Sequence, residues 1–283
     1  MNPLSKQILT FLFFVLLFSS VPYALMIYTH HIGAGHGMVV TLVMWCPTLA
    51  ALATSAVYKV ELATLGWNWR PVKYEWLAYL LPILYALPVY LGCWAFVSGS
   101  FDYASFSKSF ADTYSMMQWP NLATLGLGVP LLATLGMVGS LSHALGEEIG
   151  WRGFLLPRLT GRFGFTVGCL ISGTVWAVWH YPGLLWADYN AGTQPLYAMA
   201  CFTLMVVPMA FVMGWLRLKS GSLWPCAVLH ASHNLFIQVI FDELTKDTGR
   251  AKYVTTEFGF GLVLTIAATA LYFWAKRKEL VAN

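Results

Sequence analysis

Three short stretches of this 283-residue chain carry ionisable side chains among apolar neighbours. "LGEEIGWRG" holds Glu147, Glu148 and Arg152, "WAVWHYPG" holds His180, and "LHASHNLF" holds His230, His233 and Asn234. A carboxylate and a neutral imidazole can hold a water and take its proton, and burial tunes a glutamate toward that work. A second imidazole and a carboxamide can donate hydrogen bonds to a developing oxyanion. These are the parts for amide hydrolysis. No GxSxG elbow and no HExxH helix is present. Glu147, His180 and His230 are also competent zinc ligands, so at this level the cofactor is either zinc or none.

Helical spacing sorts the first cluster. Successive residues point about 100° apart, so Glu147 and Glu148 face different directions. Glu148 and Arg152 are four apart and can pair, which leaves Glu147 free for chemistry. His143 is four residues before Glu147, where it can tune that carboxyl or cap the helix. Gly146, Gly150 and Gly153 offer packing space around the glutamates. Trp176 shares a face with His180, and His230 shares one with Asn234; His233 is a secondary candidate. Pro182 and Gly183 are expected to loosen or end the helix of His180, and Pro225 to kink that of His230.

The elements that must position these groups follow from composition. Apolar residues make up 58% of the chain and charged residues 10%, against about 25% charged in soluble domains. A spanning helix needs about 20 apolar residues. Eight segments qualify: 8–28, 38–57, 76–98, 122–145, 166–187, 196–217, 222–241 and 255–275. The expected fold is all-α, a bundle of about eight transmembrane helices around a polar intramembrane catalytic cavity. We expect a single polytopic domain, 1–283, with a catalytic core over 120–240.

Basic residues orient it. With the first span entering from the cytoplasm, one side holds Lys6, Lys59, Arg70, Lys73, Arg152, Arg158, Arg162, Arg217, Lys219, Lys276, Arg277 and Lys278. The other holds Lys108, Lys246, Arg250 and Lys252. The positive-inside rule then puts both termini in the cytoplasm, and the cavity is expected to open there too. The first apolar run is longer than a signal-peptide core and reads as a retained helix. Cys46, Cys93, Cys169, Cys201 and Cys226 all fall within spans, as small packing residues rather than a disulfide or zinc framework. "GWNWRPVKYEW" (66–76) has the aromatic and cationic composition of a membrane interface, and 102–118 reads as a surface helix. The net charge of +4 follows from the loop bias and gives no ground for a nucleic-acid partner.

The three stretches, in this order, resemble the motifs of the CPBP family (CAAX proteases and bacteriocin-processing enzymes, also called ABI). "EEIGWR" matches EExxxR, "WAVWH" is similar to FxxxH with Trp176 in place of Phe, and "HASHN" is similar to HxxxN. The resemblance covers roughly 120–240. It implies an intramembrane endopeptidase of the CAAX prenyl protease type in a bacterial plasma membrane, acting on membrane-embedded or lipidated peptides. It also implies Glu147 and His180 as water activators, His230 and Asn234 as the oxyanion site, and Glu148 and Arg152 as structural or substrate-assisting. The family includes descriptions as metalloproteases and as metal-independent glutamate proteases. Two other readings fit buried Glu and His: a non-catalytic bacteriocin-immunity or scaffolding protein, and a proton-coupled transporter.

Overall fold

A computed structural model describes residues 2–33, 35, 37–69, 71–114 and 123–280. Arg70 and residues 115–122, which belong to the interface segment and to the polar loop ahead of the fourth span, lie outside them. The described residues form helices joined by turns and short loops, with no strand among them and one isolated β-bridge, Phe101 to Thr245. In chain order the helices are α1 (Pro3–Thr29), α2 (Met38–Tyr58), α3 (Lys73–Phe96), α4 (Tyr103–Tyr114), α5 (Met137–Glu148), α6 (Leu156–Trp186), α7 (Pro195–Ser220), α8 (Trp224–Asn234) and α9 (Phe260–Ala275).

Four of these, α1, α2, α3 and α7, are long and apolar enough to cross a bilayer, as is one continuous helical stretch over Thr124–Trp186. That stretch joins two of the expected spans. The sequence reading ends the fourth span at 145. Instead the backbone stays helical through Glu147, Glu148 and Arg152, because all three are buried in the bundle. A π-helical turn over Ile149–Leu155 carries it on into α6. The break comes at Gly164, whose φ of 77° suits glycine. Arg152 is therefore no loop charge. The surface helix expected within 102–118 forms as α4, with Phe106 and Phe110 buried. One proline expectation fails: Pro225 sits in the first turn of α8, where its missing N–H costs nothing. The helix of His180 runs past Pro182 and ends within a turn of it, at Trp186.

Hydrogen bonds between distant segments define two ends of the bundle. At one end, Arg158 donates to Gln7 (2.7 Å), the Leu223 amide to the Gly66 carbonyl (2.8 Å), and Lys219 to the Glu279 carbonyl (2.9 Å). At the other, His31 pairs with Asp188, the Lys246 amide donates to the Ser100 carbonyl (2.8 Å), and Tyr189 donates to Glu257 (2.8 Å). Large apolar side chains such as Phe13, Leu16, Leu264 and Leu271 are exposed, as a lipid-facing surface requires. Inside, close backbone approach does the packing. A Cβ on Gly146 would stand 2.8 Å from the Met44 carbonyl oxygen, and one on Gly150 would overlap Pro47. The glycines thus let α2 lie against the glutamate turn, as expected. All five cysteines are free and buried.

Candidate active site

The three motif segments converge. Glu147, Trp176, His180, His230, His233 and Asn234 all line one cavity.

Glu147 projects from the end of α5 and is 2% exposed. Its Oε2 accepts two indole N–H bonds, from Trp151 (3.1 Å) and from Trp176 (2.7 Å). A carboxylate gripped on one oxygen keeps its orientation and presents the other oxygen, Oε1. Trp176 does more than fill space. Its carbonyl accepts from His180 Nδ1 at 2.9 Å. A carbonyl only accepts, so Nδ1 carries the proton and the neutral ring has its lone pair on Nε2. The Arg152 guanidinium lies 3.9 Å over the Trp176 ring, and the His230 ring meets that ring edge-on. The aromatic that departs from the family pattern therefore holds both water-activating candidates. A phenylalanine there has no N–H to give Glu147.

Glu148 faces away, as its spacing from Glu147 requires, and neither it nor Arg152 is on the cavity wall. Both are fully buried, with Arg152 Nη1 2.7 Å from Glu148 Oε1. That same oxygen accepts from His230 Nδ1 at 2.9 Å. The expected intrahelical pair is present, and it also anchors the histidine of the third motif. Arg152 is fixed from behind, since its carbonyl accepts from Arg217 Nε (2.9 Å). His143 does not engage Glu147; its Nε2 meets Thr41 Oγ1 at 3.2 Å.

The wall opposite holds a carboxylate that the motifs do not include. Glu257, in the segment before α9, is 5% exposed and lines the cavity. Its Oε1 pairs with His233 Nε2 (2.9 Å) and its Oε2 accepts from the Tyr189 hydroxyl (2.8 Å). Tyr85 completes the chain at His233 Nδ1 (2.7 Å), and the Tyr189 ring lies 6.0 Å from that of His180. A sequence signal for Glu257 existed. It is an acidic residue within the stretch read as the last span, and buried ionisable residues in such stretches mark function.

The cavity does not reach the helix ends where it was expected to open. Ile32, Tyr189 and Glu257, the lining residues that lie between helices, all belong to the end marked by His31 and Asp188. As for zinc, no group of three His, Cys, Asp or Glu side chains among the described residues is arranged to hold a metal ion. Glu147, His180 and His230 each use one of two possible ligating atoms on Trp176 or Glu148, which leaves Glu147 Oε1 and the two Nε2 atoms facing a cavity in which no three such groups converge.

Comparison with known proteins agrees with the geometry. Residues 129–236 match the sequence model of the family described as type II CAAX prenyl endopeptidase Rce1-like. A CAAX prenyl protease 2 from the archaeon Methanococcus maripaludis is 30% identical over 149 residues, 51% of this chain and 50% of its own. The chain thus aligns with about half the length of that relative. With its long apolar helices, this is an integral membrane protein, and its residues 129–236 are similar to the Rce1-like family.

Proposed function

We propose that the chain is an intramembrane endopeptidase of the CAAX-protease type, working without a metal. The observation that carries this reading is Glu147, held by two indole N–H groups on one oxygen in a cavity shared with His180, His230 and Asn234. A water between Glu147 Oε1 and His180 Nε2 loses its proton to this pair as its oxygen attacks the scissile carbonyl. The Asn234 amide donates to the oxyanion, and so does His230 Nε2 with the ring held as an imidazolium by Glu148 at Nδ1; such a donor typically lowers a barrier by about 2.7–4 kcal/mol. Collapse of the tetrahedral intermediate breaks the C–N bond, and the proton taken from water passes to the departing amine. Glu148 and Arg152 hold His230 rather than meet substrate. The substrate is a membrane-embedded or lipidated peptide, and no nucleic acid is involved.

The architecture that serves this chemistry is eight crossings with both termini in the cytoplasm of a bacterial plasma membrane. The whole chain is one domain, with 120–240 as its core.

The test is cleavage of a panel of membrane-anchored peptides, prenylated and unprenylated, by the purified chain in lipid. Glu147→Gln and His180→Ala should each lose at least about a hundredfold in rate, the usual scale of general acid–base catalysis. Full activity in both variants would refute the site. Full cellular phenotype without cleavage would favour the scaffolding reading.

A further inference from the structure

We propose that Glu257 is a catalytic residue for the leaving group: its carboxylate receives the amine that cleavage of the peptide bond sets free. The proposal rests on the protease reading above, and its amine-binding half is open to test without cleavage.

Tyr189 donates to Glu257 Oε2 at 2.8 Å, and His233 Nε2 lies 2.9 Å from Oε1. A carboxylate only accepts, so His233 Nε2 carries a proton. With the Tyr85 hydroxyl as donor to Nδ1, at 2.7 Å, the ring is neutral. Glu257 is thus a buried carboxylate met by neutral donors. Glu148, by contrast, has Arg152 at 2.7 Å. Among the described residues that line the cavity, none is a lysine or an arginine. A buried carboxylate without a cation is costly, and a cation formed in the cavity removes that cost.

Its place suits the reaction. His233 directly precedes Asn234, the oxyanion donor, and both line the cavity. Tyr189, on the other carboxylate oxygen, has its ring 6.0 Å from that of His180. Glu257 is therefore tied both to the oxyanion segment and to the ring beside the water-activating histidine. The backbone is bent to put it there. Thr256 has a φ of 64°, a left-handed conformation that a β-branched residue rarely adopts. Its amide donates to the Tyr90 hydroxyl (3.0 Å) and its Oγ1 accepts from the Phe258 amide (3.1 Å), which holds the strained residue in place.

Hydrolysis makes the missing cation. As the tetrahedral intermediate collapses, the C–N bond breaks and its electron pair stays on nitrogen. The nitrogen takes the proton that Glu147 and His180 removed from water, and then the proton of the new carboxylic acid. The products are a carboxylate and an ammonium. Glu257 keeps its charge throughout and accepts charge-assisted hydrogen bonds from the ammonium as it forms.

Replacing the scissile amide by an ester tests this, since an ester releases a neutral alcohol. The peptide of the panel above that the wild type cleaves fastest is made in both forms. Glu257→Gln should lose roughly ten- to a hundredfold in kcat on the amide relative to the ester, the scale of a hydrogen bond to a charged group. Glu257→Asp keeps the charge and should restore most of that ratio, which does not depend on how much protein folds. Equal loss on both substrates overturns the proposal, because a merely structural carboxylate moves them together. Binding gives a second readout that leaves Glu257 intact and needs no turnover. The probe is trileucine amide, whose side chains suit a lining of Phe202, Met205 and Met209. On the Glu147→Gln protein near neutral pH, its free-amine form should bind at least about tenfold tighter than its N-acetylated form. Equal affinities, or binding of neither, overturn the proposal. If the wild type cleaves nothing while the free amine is still preferred, the protease reading falls and the amine site stands. Cleavage without that preference does the reverse.

Discussion

Glu148 and Arg152 are both fully buried, 2.7 Å apart, and removing one charge strands the other. Breaking such a pair costs about 3–5 kcal/mol, mostly from the uncompensated ion. Glu148→Gln keeps an oxygen for His230 Nδ1 and removes only the charge, so its effect should fall in that range. Arg152→Met should cost less, because the Glu148 carboxylate retains His230 as a partner at 2.9 Å. The double variant strands nothing. It should recover part of the loss, with a coupling energy approaching about 3 kcal/mol. For chains of this size, 1 kcal/mol moves a thermal midpoint by roughly 2–4 °C. Glu148→Gln should therefore unfold on the order of 10 °C below the wild type, and the double variant above it. The assay is thermal unfolding in one detergent for all four proteins. If the single effects add to within about 0.5 kcal/mol, the two side chains are independent and the reasoning fails.

Other perturbations read other parts of the site. Trp176→Phe keeps the ring and removes the N–H that Glu147 accepts; a hydrogen bond to a charged group is worth about 1.5–3 kcal/mol. Its kcat should drop roughly ten- to a hundredfold with the fold intact by circular dichroism, and unchanged turnover would deny Trp176 its role. Exhaustive chelation should leave wild-type cleavage untouched; activity lost to the chelator and restored by zinc would overturn the metal-free mechanism. Gly150→Leu should lower the unfolding midpoint sharply, because even a Cβ there overlaps Pro47, whereas Gly161→Ala meets nothing and should hold or raise it. Equal midpoints for the two would mean that α2 does not press on the glutamate turn.

What could be read from the residues was what one helical turn decides. Glu148 with Arg152, and Glu147 apart from them, follow from 3.6 residues per turn, and the structure repeats both. So does the packing use of Gly146 and Gly150. Contacts between segments were out of reach. Nothing in the spacing says that the Trp176 indole reaches Glu147 across 29 positions, or that His230 leans on Glu148 across 82. Apolar length alone ends the fourth span at 145, ahead of the first charges. In a bundle a charge can be met by another helix, and then the helix has no reason to stop. Glu257 is legible only as an exception to the apolar stretch 255–275 that contains it.

The π-helical turn over Ile149–Leu155 follows directly on Glu148, and a second, over Leu235–Phe241, follows directly on Asn234. Such turns hold one residue more than an α-turn and occupy well under 1% of protein residues. Both lie between a motif segment and the helix that continues it, like dislocations in an otherwise regular lattice. Each wide turn absorbs one residue, so a deletion within it would restore an α-turn and leave the flanking segments close to register, whereas the same deletion in the regular helix would rotate everything beyond it by about 100°. The two defects are thus the places where these helices can lose a residue and still present Glu147 and Asn234 to one cavity.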